Sequence, residues 1–340
     1  MDQFGFETVF KMRAVRTLGC ALALFASLAL SIKSTHENLK PITFLTNYVF
    51  IGRHAPFFVG KEKGFYREAG FDINILPASG SAFVITALEG RQADYGMVEA
   101  ASLVQAIAQG ASVKAFGVYM DQSTSGLASL APYPTLESLT GRTVAASLTD
   151  SARVILPSVF AEGQLNESTI DWLTADPSVY FSLLLSGRAD LVTAASDSDV
   201  PTLQRIVEPR GRTVHFSSFA DWGYDVYGYF LVARSDRLRL RQEEVRAFAT
   251  ATATAVDYAI THPEEAARIM ARYSPALDEV TALAHWKESI SAMNTAAVQH
   301  AGYGIATQER LQRSIDFVGR AFEFKTQVTP NDLYAHGFLP

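Results

Sequence analysis

The chain is too long for one hydrophobic core and carries more acidic than basic residues. It has 340 residues, 48% of them hydrophobic, and 29 basic against 35 acidic side chains give a net charge of -6. Because single cores stop growing at roughly 250–300 residues, this length favours a leader segment followed by two lobes. Nucleic acid requires a basic stripe, which this sequence lacks, so we predict no nucleic-acid partner.

The N-terminal residues have the pattern of a secretory signal. Lys11, Arg13 and Arg16 precede an apolar run over residues 18–32. A basic flank before such a run predicts export with removal of residues 1–36, Met12 being an alternative start and a buried core helix the competing interpretation. The single cysteine, Cys20, lies at the start of this run, whereas a lipoprotein cysteine follows it. We therefore predict an exported protein without a lipid anchor or a disulfide.

Residues 41–110 alternate between strand and helix patterns. The β-branched run 41–47 and the alternating run 71–76 predict strands, and residues 54–70 keep helical spacing up to a terminal glycine. Such alternation predicts a parallel sheet, in which ligands bind beyond the carboxyl ends of the strands. The residues expected on that rim are Asn47, Ser79, Gly80, Ser81 and Glu99.

The middle of the chain repeats this rhythm. Residues 140–147 read as a turn into a new strand, and the Gly-Arg-Ala-Asp sequence at 187–190 resembles Gly-Arg-Gln-Ala-Asp at 90–94. We therefore expect a second lobe that uses the same helix-to-strand turn. Thr149 and Asp150 are predicted to reach the cleft from this lobe.

The later residues predict a return to the first lobe. An aromatic segment with paired glycines at 221–233 indicates the crossover, and helical patterns follow over 244–261, 263–273, 276–293 and 307–324. We predict an α/β protein with two lobes, each a mostly parallel sheet flanked by helices. Residues 40–128 and 223–340 are assigned to the first lobe and 129–222 to the second, with hinges near Gly126 and residues 221–228.

Several motifs of the first lobe resemble a known family. Asn47 followed by an aromatic residue, His54-Ala-Pro, the run Lys-Gly-Phe-Tyr-Arg-Glu-Ala-Gly-Phe-Asp at 63–72 and residues 90–96 are similar to periplasmic solute-binding proteins for sulfonates, nitrate and thiamine precursors. The related fungal thiamine-pyrimidine synthases share them. The resemblance implies a type II periplasmic binding fold that presents a small molecule to an ABC transporter permease. It also implies a periplasmic monomer with no cofactor, no metal and no catalytic residue.

Two ligand classes fit the candidate site residues. Aromatic side chains that stack on a flat ring, together with acids that pair with its N–H groups, favour a heteroaromatic thiamine precursor. The helix start at 79–81 instead favours an oxoanion such as an alkyl sulfonate, taurine or nitrate, although plain helix capping explains it as well. His54 suits either ligand or a structural role. The stacking candidates are Tyr48, Phe50, Trp222, Tyr224 and Tyr227, and the pairing acids are Asp225 and Glu99.

One departure from the synthases argues against catalysis. In those enzymes a cofactor-bearing lysine lies two residues after the glycine that corresponds to Gly96, and a donor histidine follows four residues later. Here these positions hold Val98 and Ser102. Without the amine no Schiff base to pyridoxal phosphate forms at that position. We therefore expect a binding protein, with an exported enzyme or a sensory ligand-binding module as the alternatives of another class.

Overall fold

The computed structural model describes residues 39–166, 169–322, 324 and 326–339, so the predicted signal at 1–36 lies outside the described residues. The described strands form two five-stranded sheets. In chain order they are β1 (Lys40–Leu45), β2 (Phe71–Leu76), β3 (Tyr95–Glu99), β4 (Val113–Met120), β5 (Ser125–Ser129), β6 (Thr143–Ala146), β7 (Asp171–Thr174), β8 (Leu191–Ala195), β9 (His215–Ser218) and β10 (Tyr229–Arg234).

The two sheets have the same mixed topology. The first runs β2-β1-β3-β10-β4 and the second β7-β6-β8-β5-β9. Strand β1 is parallel to β2 and β3, and β6 is parallel to β7 and β8. The one antiparallel strand of each sheet, β10 or β5, forms where the chain has just crossed from the other sheet. The predicted two-lobed α/β class, each lobe with a mostly parallel sheet, is confirmed.

The chain leaves the first sheet slightly earlier than the predicted lobe limits. Strand β5 pairs with β8 and β9 over all or most of its length, so residues 125–129 belong to the second sheet. The change of sheet therefore falls at residues 121–124, before the expected limit between 128 and 129. The return crossing lies at 219–228, which includes the expected limit at 223.

The described helices are α1 (Ala55–Glu62), α2 (Phe65–Glu68), α3 (Ser81–Glu89), α4 (Ala100–Ala108), α5 (Ala152–Glu162), α6 (Tyr180–Leu185), α7 (Asp199–Val207), α8 (Ser235–Leu240), α9 (Gln242–Thr261), α10 (Pro263–Tyr273), α11 (Glu279–Met293), α12 (Ala296–Ala301), α13 (Gln308–Gly319) and α14 (Pro330–Leu333). Side-chain caps fix several of their starts: Asp278 accepts the Thr281 N–H and Thr307 accepts the Arg310 N–H. None of the helices in the described ranges is long and apolar enough to span a bilayer.

The repeated Asp-containing turn has the same hydrogen bonds in both lobes. Asp94 Oδ2 accepts the Thr43 N–H at 2.8 Å, and Asp190 Oδ2 accepts the Thr143 N–H at 2.9 Å. The backbone N–H of each aspartate donates back to the carbonyl of the same threonine. Each turn thus fixes the strand that follows it, β3 or β8, to the neighbouring parallel strand, β1 or β6, as the sequence similarity between 90–94 and 187–190 predicts.

The first lobe holds an aromatic core, and other apolar contacts join the lobes. Phe248 on α9 stacks on Tyr95 with ring centroids 4.1 Å apart and on Tyr66 at 5.4 Å. Helix α13 packs against both α4 of the first lobe and α5 of the second. Burial of these helix faces keeps the two sheets side by side, with the carboxyl ends of their parallel strands facing a common cleft.

Candidate ligand-binding cleft

A cleft lies between the lobes at the carboxyl ends of the parallel strands. Its empty volume is about 530 Å3, including the part open to solvent. The first lobe contributes Asn47, Tyr48, Arg53, Gly80, Ser81 and Tyr229. The second contributes Ser125, Gly126, Asp150, Ser151, Ala152, Tyr180, Thr193, Ala194, Ala195, Asp199 and Phe219.

Aromatic side chains line both walls of the cleft. Tyr48 and Tyr229 belong to the first lobe, and Tyr180 and Phe219 to the second. Burial raises the pKa of Tyr48 well above its usual value, and the neighbouring carboxylates Asp199 and Asp150 raise it further. The phenol therefore stays neutral and can donate a hydrogen bond. Such walls suit a flat ring with polar groups at its edge.

Arg53 is the cation of the cleft. Its Nη2 donates to Asp197 Oδ1 at 2.5 Å and to Ser198 Oγ at 3.1 Å, so a first-lobe side chain binds the loop after β8. Burial lowers the pKa of the guanidinium, but Asp197, Tyr229 and Asp199 together outweigh burial, so the pKa is raised. Its Nε has no hydrogen-bond partner among the described residues. The guanidinium carbon lies 5.1 Å from the centre of the Tyr229 ring.

Two further carboxylates line the second-lobe wall. Asp150 Oδ1 accepts the Ala152 N–H at 3.0 Å, and Oδ2 accepts the hydroxyls of Thr193 at 2.8 Å and Tyr180 at 3.2 Å. Burial raises its pKa. Asp199 Oδ2 accepts the Ala195 N–H at 2.8 Å. Burial raises the pKa of Asp199 to about 6, and the charges of Asp197 and Asp150 contribute to this increase.

The charges of the cleft do not cancel. Arg53 is paired with Asp197, whereas Asp150 accepts hydrogen bonds from a backbone N–H and two hydroxyls, and Asp199 accepts one from a backbone N–H. An anion entering the cleft meets these two carboxylates, whereas an N–H donor or a cation is stabilised by them. The electrostatics therefore favour a ligand with donor groups.

Asn47 and His54 form a pair at the end of β1. Asn47 lines the cleft, while His54 is fully buried behind it and does not line it. The His54 Nε2 atom lies 3.1 Å from Asn47 Oδ1, and Nδ1 accepts the Ile51 N–H at 3.3 Å. Burial lowers the pKa of His54 well below its usual value, so the ring is neutral. The structure thus gives His54 a positioning role beside Asn47.

The segment 79–81 contacts the second lobe directly. The Ser79 carbonyl accepts the hydroxyls of Ser147 and Thr149, both at 2.9 Å. The Ala82 N–H, at the start of α3, donates to the Thr149 carbonyl at 3.2 Å. Gly80 has φ +141°, and a Cβ there would lie 2.1 Å from that same oxygen. Only glycine allows the two backbones to approach so closely. At the expected anion site, the Ala82 N–H is thus already hydrogen-bonded to the Thr149 carbonyl.

Phe50, Tyr224, Ser79 and Thr149 do not line the cleft, and neither do four other residues that the sequence predicted there. Glu99 is buried and caps α4 through the Ala101 N–H at 2.8 Å, and it accepts the Tyr224 hydroxyl. The Tyr227 hydroxyl accepts the Thr307 N–H at 2.9 Å. Residues 220–228 of the crossing between the sheets do not line the cleft. The two remaining residues are Trp222, half-buried against Phe219, and Asp225, which is exposed.

Several lining residues were not expected from the sequence. Arg53 directly precedes the His54-Ala-Pro motif, and Asp199 is the first residue of α7, four residues after β8 ends. No local pattern distinguishes Tyr180, Phe219 or Tyr229 from core aromatics. Their presence at the cleft depends on how the lobes face each other.

This two-lobed fold with a cleft at the strand ends is that of periplasmic solute-binding proteins. The chain belongs to the family described as NMT1/THI5 like, whose model matches residues 52–266. Among solved structures it is similar to the alkanesulfonate-binding protein SsuA from Xanthomonas axonopodis pv. citri bound to MOPS, with TM-score 0.68, 12% identity and coverage of 87% of this chain and 98% of that chain. It is also similar to the periplasmic nitrate-binding protein NrtA from Synechocystis PCC 6803, with TM-score 0.56, 12% identity and coverage of 72% of this chain and 69% of that chain.

A relative with an enzymatic name matches over a short region. The 4-amino-5-hydroxymethyl-2-methylpyrimidine phosphate synthase of Schizosaccharomyces pombe is 29% identical over 89 residues, which is 26% of this chain and 26% of that protein. The chain thus spans about a quarter of the length of this relative.

Proposed function

We propose that this protein is the solute-binding component of an ABC-type importer and captures a small heteroaromatic ligand of the thiamine-pyrimidine type. The observation that supports this most strongly is the composition of the cleft, where four aromatic side chains accompany Asp150 and Asp199. Aromatic faces hold the ring by stacking, and the carboxylates accept its N–H groups. The ligand is bound and released unchanged.

The residues of the cleft supply no amine for covalent chemistry. Val98 lies in β3 and Ser102 in α4, both buried, so the position of the synthase lysine holds an apolar side chain in the core. No lysine, histidine or cysteine is among the described residues that line the cleft. Binding without turnover requires none of these groups, whereas a Schiff base requires the lysine.

Arg53 supports a second candidate, capture of an oxoanion. Its Nε donor lacks a partner among the described residues, and guanidinium groups bind sulfonates and nitrate through their N–H groups. Against this candidate, Arg53 is already paired with Asp197, and two more carboxylates line the cleft. We therefore rank the oxoanion below the heteroaromatic ring.

Calorimetric titration of the purified protein separates the two candidates. The panel contains 4-amino-5-hydroxymethyl-2-methylpyrimidine phosphate, the same pyrimidine without phosphate, taurine and nitrate. We expect saturable binding of a pyrimidine and none of taurine or nitrate. Binding of the oxoanions alone would replace the proposal by the second candidate. Mass spectrometry of the recovered ligand checks that it is unchanged, and a converted product would show an enzyme instead.

We also propose that the protein works in the periplasm and delivers its ligand to a membrane permease. The signal pattern at 1–36 and the family's fold support this. Fractionation of the source cells, followed by N-terminal sequencing of the mature chain, tests export: we expect a periplasmic protein that begins between residues 30 and 37. Recovery of the uncleaved chain from the cytoplasm would contradict it.

A further inference from the structure

The second-lobe wall of the cleft has one free carboxylate oxygen. Both oxygens of Asp150 accept hydrogen bonds from its own lobe, one from Ala152 and the other from Thr193 and Tyr180. Asp199 uses only Oδ2, for the Ala195 N–H, and its Oδ1 has no hydrogen-bond partner in the described ranges. Since Asp199 lines the cleft, this oxygen is the acceptor that the wall offers to a ligand.

The first-lobe wall has a free amide donor. The Ile51 N–H donates to His54 Nδ1, so the ring proton lies on Nε2 and donates to Asn47 Oδ1. This fixes the orientation of the Asn47 amide and leaves its Nδ2 group without a partner among the residues described. The Nδ2 atom is not buried away from solvent, and Asn47 lines the cleft. This amide group is therefore accessible to a ligand.

We propose that Asn47 and Asp199 act as a donor–acceptor pair, one residue on each wall, that determines which ligand the cleft accepts. The pair requires a ligand with an acceptor toward the first lobe and an N–H donor toward the second. A ring nitrogen and an amino group on one aminopyrimidine provide this combination. The inference rests on the proposed function and specifies the edge of the ligand that is recognised.

The same pair rejects oxoanions. A sulfonate or nitrate carries acceptors only, so an oxygen facing Asp199 would meet an unpaired carboxylate oxygen. Arg53 offsets only part of this repulsion, because its Nη2 is already bound to Asp197 and Ser198. A ligand that satisfies both walls also bridges the lobes, and the hydrogen bonds to it form together only when the lobes are closed.

Two exchange variants test the pair without removing the contacts that support it. In Asp199→Asn the remaining oxygen still accepts the Ala195 N–H, so the amide NH2 is presented to the ligand in place of the free oxygen. In Asn47→Asp one oxygen still accepts from His54, and the other replaces the NH2 donor. The double variant exchanges the donor and the acceptor between the two walls, and an aminopyrimidine can bind in the flipped orientation to match them.

The experiment measures dissociation constants for an aminopyrimidine and for the methylpyrimidine of the same shape. We expect the native protein to prefer the amino compound by about tenfold or more, the value of a hydrogen bond to a charged group. Asp199→Asn should remove that preference, whereas Asn47→Asp should weaken the binding of both compounds because the ring nitrogen then meets a carboxylate. The double variant should recover part of the lost affinity for the amino compound. Melting curves of all variants check that the fold is retained, so a lost preference can be assigned to recognition.

The outcomes separate the inference from the function on which it rests. An amino preference that persists in Asp199→Asn, or a double variant no better than the single ones, overturns the donor–acceptor pair while the pyrimidine function stands. If neither compound binds the native protein, both the pair and the proposed function fail. Recovery in the double variant is the result that a purely structural role for either residue does not produce.

Discussion

Arg53 and Asp197 form a buried ion pair that joins the two lobes across 144 residues of sequence. The side chains are 2% and 1% exposed, and Asp197 also accepts the hydroxyl of Ser289 on α11 at 2.7 Å. Helix α11 makes a second contact with the second lobe, where His285 Nε2 lies 2.9 Å from Thr202 Oγ1. The two lobes are therefore held together by polar contacts as well as by packing.

The first prediction concerns this pair. Asp197→Ala leaves the Arg53 charge buried and unpaired, so we expect the free energy of unfolding to fall by about 3–5 kcal/mol. Urea unfolding measures the loss. The matched control is Glu309→Ala, which breaks the exposed Arg313–Glu309 pair and should change stability by less than about 1 kcal/mol. Equal effects of the two substitutions would contradict the structural importance of the Arg53–Asp197 pair.

The second prediction uses Glu99. Burial raises the pKa of its carboxyl to about 8 from the ordinary 4.5, so between these pH values the unfolded chain releases a proton that the folded protein retains. The Glu99 contribution to stability is therefore present below pH 4.5 and is lost as the pH rises toward 8. Urea unfolding at about pH 5 and pH 8 should show this decline, and Glu99→Gln should flatten it. The exposed Glu137→Gln is the control, and an unchanged pH dependence in Glu99→Gln would contradict the prediction.

The third prediction concerns the crossing between the sheets. A Cβ at Gly228 would lie 2.4 Å from the Gln122 carbonyl oxygen, so the two crossing segments touch through their backbones. We expect Gly228→Ala to lower the free energy of unfolding by about 1–3 kcal/mol because one segment must shift. Gly319→Ala is the control, since a Cβ there meets only Phe324 at 3.7 Å.

The same glycine tests the proposed hinge. If the lobes move about residues 121–124 and 219–228, a shift at Gly228 should alter the balance between open and closed forms. Small-angle X-ray scattering with and without ligand reports this balance through the radius of gyration. We expect Gly228→Ala to differ from the native protein in the change on ligand addition, whereas an identical change in both would argue against a hinge at this crossing.

The fourth prediction concerns the pH dependence of ligand binding. With a pKa of about 6, Asp199 becomes protonated as the pH falls through that value and loses the charge that accepts an N–H donor. Arg53, Asp197 and Asp150 are the charged groups around it, and Arg53 opposes the two acids. The affinity for an aminopyrimidine should therefore fall from about pH 7.5 to about pH 5. Asp199→Asn lacks this titration, so the difference between the two profiles isolates Asp199 from titration of the ligand.

Three local features follow from the sequence alone: the alternation of strands and helices, the repeated turn and the capped helix starts. Asp94 and Asp190 show this most clearly, because the same short motif forms the same hydrogen bonds in both lobes. Periodicity and capping act over a few residues, so they can be read without knowledge of the fold. The two-lobed α/β class followed from the order of these elements.

Only the tertiary structure decided which side chains form the cleft. Asp225 and Tyr227 lie in the aromatic segment that the sequence favoured, yet they are directed to solvent and to the core. Arg53, by contrast, meets Asp197 only because two sheets distant in sequence pack with their strand ends together. The burial of the cleft residues, the charge pairing and the unpartnered polar groups of Asn47 and Asp199 arise from that packing. No local pattern encodes it.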